Sequence, residues 1–136
     1  MDARHATRTE LGGGLGVAAL LAYAYPLVFA AGPYLTWLAA WACLGHRPRP
    51  SLDDPKYIGL AVDVPYFLSA ALTMAVPVAI GLGLIVAVAA GLRAGKTSSA
   101  KLGLTSFALM ALVSLWAGVI VFLRADPWQV LNWYWD

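Results

Sequence analysis

The chain has 136 residues, of which 61% are hydrophobic and 12% charged, whereas an ordinary soluble domain carries roughly 25% charge. Its net charge of +2 is scattered over isolated Lys and Arg residues, which excludes the clustered basic face that a nucleic-acid partner requires. One cysteine, Cys43, excludes an intrachain disulfide and any CxxC redox or zinc motif. In WACLG it reads as a small apolar residue.

This composition specifies an all-α integral membrane protein forming one domain over residues 1–136. Three stretches are free of charge: Leu11–Gly45, Val64–Leu92 and Leu102–Leu123. About 20 helical residues rise the roughly 30 Å of a hydrocarbon core, so each can hold a crossing. The expected spans are about 14–45, 64–92 and 102–123.

The N-terminal arm carries Arg4, His5 and Arg8 ahead of LGVAALLAYAYPLVFA, a pattern shared with secretory signal peptides. The stretch is read as a retained anchor. Its 35 residues would reach about 52 Å as one straight helix. They fall short of the roughly 42 needed for two crossings and a turn. The punctuation at Gly32-Pro33 would leave an arm of 12 residues, YLTWLAAWACLG, too short to span. One long helix kinked at its prolines is therefore expected, with a re-entrant hairpin as the alternative. Near its outer end Tyr34, Trp37 and Trp41 share a face. That face suits interfacial anchoring, or contact with a carotenoid, quinone, pigment or lipid.

The first loop, HRPRPSLDDPKYIGLAVDVPYF, begins with an extended Arg-Pro alternation. Asp54-Pro55 has the form of an N-cap followed by proline at the first helical position, so KYIGLAV is expected to form a short interfacial helix. Asp63, two residues before Pro65, is expected to start the second span, where the helix dipole favours a carboxylate. His46, beside the first span, is a candidate pigment or metal ligand, weighed against a headgroup-contacting residue.

In the second span Ala71, Ala75, Ala79, Gly83, Ala87 and Gly91 recur every fourth residue. Small residues at this spacing let helix backbones approach closely, which is how helices associate in lipid. Abundant alanine alone would produce part of the pattern. The third span offers Ala111, Ser114 and Gly118 for the same purpose. The tail, residues 126–136, repeats the loop's grammar: Asp126 as cap, Pro127 as first helical residue, Gln129 as a capping-box partner. It holds Trp128, Trp133, Tyr134 and Trp135, residues that favour the headgroup level, and reads as a second interfacial helix.

No catalytic constellation emerges. The spans hold no His, Asp, Glu, Lys or Arg, so neither a haem pair nor a charged transport path is encoded within them. Ser69, Thr73, Thr105, Ser106 and Ser114 lack an in-span base. GGGLG lacks the strand and basic partner of a phosphate loop. The expectation is a non-enzymatic accessory subunit with no intrinsic cofactor. Its partners would be other membrane subunits and the bilayer, within an energy-transducing complex of electron transport or photosynthesis. The alternative is a small homo-oligomeric transporter or channel. Arg4, Arg8, Arg93, Lys96 and Lys101 lie on one side of three crossings, and Arg47, Arg49, Lys56 and Arg124 on the other. Five positives against four favour a cytoplasmic N-terminus in a bacterial inner or intracytoplasmic membrane.

Overall fold

A computed structural model describes the backbone of residues 3–135 and the side chains of residues 14–135. Arg4, His5 and Arg8 thus lie outside the described side chains. The chain is all-helical, without strands among the described residues. Helix α1 spans Ala3–Leu44, α2 Leu60–Ala94, α3 Ser98–Ala125 and α4 Val130–Tyr134, with a 3-10 turn at Pro55–Tyr57. Three helices, Gly14–Leu44 of α1, α2 and α3, are long and apolar enough to cross a membrane.

Helix α1 continues through Pro26 and Gly32-Pro33 without a break, so the hairpin alternative is not adopted. KYIGLAV forms no helix of its own: the 3-10 turn ends at Tyr57, and Gly59, at φ 138°, interrupts the backbone. Leu60-Ala61-Val62 belongs to α2, whose first hydrogen bonds are accepted by the Gly59 carbonyl from Val62 (2.8 Å) and Asp63 (3.0 Å). Asp63 therefore sits within the first turn of α2 instead of preceding it. The tail also starts its helix late. Pro127 and Trp128 form a turn, and Gln129, at φ 57°, is the N-cap of α4 without a side-chain capping bond. Gln129 does not complete a capping box.

The helices form two packed units, Met1–Pro26 with Pro77–Ala117, and Leu27–Val76 with Gly118–Asp136. In the first, partners fall in number on α3 as they rise on α2, so these segments run antiparallel. A Cβ on Gly83 would stand 3.2 Å from a Leu112 methyl, one on Gly91 would enter the Thr105 backbone, and one on Gly95 the Lys101 backbone. Tyr23 donates to the Ala108 carbonyl at 2.8 Å, and the Tyr25 and Trp116 rings lie 6.2 Å apart. In the second unit, a Cβ on Gly32 would stand 2.5 Å from Ser69 Oγ. Glycine is required at all three close approaches, Gly32, Gly91 and Gly95, because the facing atoms fill the volume of a methyl group.

Polarity does not sort residues between inside and outside: the buried positions mix small residues with large ones such as Trp37, Val62, Leu112 and Val119. The buried positions on the helices include Ala30, Thr36, Ala40, Ser69 and Ala87, while Leu20, Leu21, Phe67, Leu68, Met74, Ile85, Phe107 and Met110 are exposed. Only 11, 17 and 11% of the most apolar windows of the three helices are buried. A soluble monomer rarely exposes apolar patches beyond a few hundred Å². Large apolar side chains facing outward suit an apolar solvent, and small residues such as Ala40, Ser69 and Ala87 among the buried positions allow close helix approach.

Candidate functional site

Chemically diverse side chains concentrate in the second unit, where the end of α1, the loop and the tail meet. Gly45, at φ 71°, ends α1 by donating its N–H to the Trp41 carbonyl at 3.0 Å, as a left-handed residue after a helix does. The chain then turns, and Arg47 Nη2 donates to the Trp128 carbonyl at 2.6 Å while its guanidinium lies 5.8 Å from the centre of the Trp37 ring. This cation–π geometry lies within the roughly 6 Å limit for such contacts. Trp37 meets Trp41 edge-on at 5.0 Å; Tyr34 packs against Phe122 at 5.3 Å and Trp128 at 5.9 Å.

Asp53 holds the loop together. Its Oδ2 accepts the Arg49 backbone N–H at 2.9 Å and Arg49 Nε at 3.3 Å, and lies 3.9 Å from His46 Nδ1. Desolvation pushes the Asp53 carboxyl up, but the Arg49 hydrogen bonds and the Arg49 and His46 charges outweigh it and hold the group below its usual range. His46 Nδ1 also lies 3.0 Å from the Arg47 carbonyl. Asp54 caps the 3-10 turn by accepting the Lys56 N–H at 2.9 Å.

The tail docks on this loop. The Asp126 carboxylate accepts three backbone N–H groups, from Val130 (2.8 Å), Leu131 (3.0 Å) and Asn132 (3.1 Å), fixing the start of α4. Trp133 Nε1 donates to the Asp53 carbonyl, and the Tyr134 hydroxyl to the Tyr66 carbonyl at 3.1 Å. Trp133 and Tyr134 are 1% and 2% exposed, whereas Trp128 and Trp135 are 54% and 62% exposed. The four aromatic anchors thus divide into an inward pair, stapling tail to loop, and an outward pair. Burial raises the Tyr134 phenol above its ordinary value, against a weaker opposing hydrogen bond with Ser69, so it remains a donor at neutral pH.

Of the candidate cofactor residues, Trp37 and Trp41 pair with each other, Tyr34 packs with Phe122 and Trp128 instead, and Arg47 rather than His46 reaches both groups, at the Trp37 ring and the Trp128 carbonyl. Trp37 is buried, Trp41 exposed, and His46 turns toward Asp53. Of the small-residue row, Gly83, Ala87 and Gly91 are buried, Ala79 is half-buried, and Ala71 and Ala75 are exposed. Arg47, Asp53 and Tyr66, which join the loop and the tail, carry no sequence motif that singles them out.

Few groups here could perform chemistry. Among the described residues no cluster of three His, Cys, Asp or Glu side chains could hold a metal ion. Thr36 Oγ1 donates to the Gly32 carbonyl and Thr73 Oγ1 to the Ser69 carbonyl, both at 3.0 Å, so these hydroxyls serve their own helices. Asp63 Oδ1 is buried without a hydrogen-bond partner among the described residues, in the first turn of α2. Compared with known proteins, the chain matches no protein-family model, no curated protein and no solved structure.

Proposed function

We propose that this chain is a small accessory subunit of a larger membrane protein complex, supplying helix surface and interfacial anchoring instead of chemistry. The observation that carries the reading is the outward display of large apolar side chains on three helices together with the exposed small-residue positions Ala71 and Ala75. The large residues suit lipid, and the small ones leave room for the close approach of a further helix. In this reading α1 is kinked at Pro26 and Pro33, the loop and tail lie at one membrane interface, and Trp128 and Trp135 point to headgroups. The N-terminus is cytoplasmic in a bacterial inner or intracytoplasmic membrane, and the host is an energy-transducing assembly of the respiratory or photosynthetic kind. Tyr34, Trp37, Trp41 and His46 would meet lipid, carotenoid, quinone or pigment belonging to that host.

One observation favours a second reading, a homo-oligomeric transporter or channel: the partnerless buried oxygen of Asp63 is the sort of group that marks a path. The test is extraction of the chain from its native membrane in mild detergent, followed by a native gel, mass spectrometry and visible absorption of the band. A large band with fixed partners supports the accessory subunit. A small colourless band containing this chain alone overturns it and directs attention to transport by Asp63 variants.

A further inference from the structure

An open groove of about 440 Å³ lies where α3 gives way to the tail, lined by Leu123, Arg124, Asp126, Leu131, Asn132 and Trp135. It is shallow and open to the surface over most of its extent, so it could hold a headgroup against its wall but not enclose a molecule. It combines a cation, a carboxylate, an amide and an indole with two leucines. Arg124 is exposed, and its side chain makes no hydrogen bond or ion pair with any described residue, Asp126 included. A cation and an anion therefore line one groove without neutralising each other.

Asp126 does not turn to Arg124 because its two oxygens are held by three backbone N–H groups at the start of α4. Oδ1 accepts only one of the three, which leaves it capacity for a further donor. An anion alone would meet Arg124 favourably and Asp126 unfavourably; a cation alone would meet the reverse. A zwitterion whose phosphate faces Arg124 and whose ammonium faces Asp126 satisfies both. Arg124 follows immediately after the uncharged stretch ending at Leu123. If that stretch spans the bilayer, the groove opens at headgroup depth, with Leu123 and Leu131 beside the acyl chains.

We infer that this groove binds one phospholipid with a zwitterionic, primary-amine headgroup, through Arg124 on the phosphate and Asp126 on the ammonium. The inference rests on α3 being a membrane span, as proposed above.

The test is native mass spectrometry of the full chain, in whatever complex it purifies with, after addition of phosphatidylethanolamine, phosphatidylglycerol or soluble phosphoethanolamine at equal concentration. The expected result is one retained phosphatidylethanolamine. Arg124→Gln should reduce its retention about tenfold, the loss of one charge-assisted hydrogen bond, while the exposed loop variant Lys56→Gln leaves it unchanged. Circular dichroism of Arg124→Gln checks that its helix content is intact, and Arg124→Lys should recover part of the binding. Equal or better retention of phosphatidylglycerol, indifference to Arg124→Gln in a folded protein, or equal binding of soluble phosphoethanolamine would each overturn the inference. Resistance of the chain to carbonate extraction from membranes separates the two levels. Failure there removes the membrane span itself, whereas resistance with no Arg124 effect removes only the lipid site.

Discussion

Two glycines of α2 separate packing from composition at the level of single residues. A Cβ on Gly91 would collide with the Thr105 backbone, which cannot move without shifting a helix, whereas one on Gly81 meets nothing within 4 Å. Gly91→Ala should therefore lower stability by about 1–3 kcal/mol, the cost of overpacking. Gly81→Ala should be neutral or stabilising by up to about 1 kcal/mol, since alanine is the better helix former. Thermal unfolding of both variants in detergent checks the pair, and equal losses would remove the close contact. A second site behaves differently, because the conflict at Gly32 is with the side chain of Ser69. Gly32→Ala should destabilise and Ser69→Gly should restore most of the loss in the same assay. Asp53 adds a pH dependence. The Arg49 hydrogen bonds hold its carboxyl below the usual carboxylate range, so its contribution is full at neutral pH and is lost as pH falls through that lowered range. The thermal midpoint of the protein should drop on acidification from about pH 5 to about pH 2, with a smaller drop in Asp53→Asn; identical profiles would exclude this carboxylate as the source.

Among the elements, α4 depends most on its surroundings. Five residues cannot hold a helix alone, and three of their N–H groups close on the single carboxylate of Asp126. Asp126→Ala should cost about 2 kcal/mol or more of local stability. Amide hydrogen exchange across residues 126–135 should rise sharply while α2 is unaffected; unchanged protection would show that Trp133 and Tyr134 hold the tail unaided. The role of Asp126 was legible in sequence because a short acidic side chain before proline is a local signal. The helix start was not. Proline occupancy at residue 127 suits a turn as well as a first helical position, and the left-handed backbone of Gln129 has no signature in a glutamine. The long helices were legible for a different reason: an uncharged run of sufficient length needs no neighbour to specify it, which is why α1 continues through Gly32-Pro33. Interior faces were only half legible. Ala71 and Gly91 belong to the same four-residue rhythm, yet one is exposed and the other buried, because a row of that period rotates about 40° per step away from any straight seam. Contacts that join distant parts of the chain, Arg47 to Trp128 and Trp133 to Asp53, leave no local pattern to read.

At the scale of the molecule, the distribution of surface sets the expected behaviour in the membrane and the experiment that divides the two functional readings. The tail does not float at the interface as a detachable anchor. Trp133 and Tyr134 are consumed by the loop and by Tyr66, and only Trp128 and Trp135 remain outward. Deleting residues 126–136 therefore removes two outward aromatics and also unlocks the loop, exposing the Asp53 carbonyl and the Tyr66 region. An accessory subunit that is recognised through this end should lose its place in the host complex. Asp63→Asn, by contrast, changes one charge in the first turn of α2 and touches neither the tail nor the small-residue positions, so assembly should be nearly unaffected. A transporter reverses the order, because neutralising a carboxylate on its path stops transport while a shortened tail still permits it. The amount of complex on a native gel, measured for both variants against the parent chain, decides between them. Because tail deletion also disturbs the loop, the double replacement of Trp128 and Trp135 by alanine provides the sharper comparison: both side chains are mostly exposed, so the Trp133 and Tyr134 bonds to the loop persist, while Trp128 gives up its edge contact with Tyr34 and Trp135 its contact with Tyr134. Loss of complex in that variant with intact helix content locates recognition on the outward aromatics. Full assembly there, with loss on deletion, moves recognition to the loop that the tail holds in place.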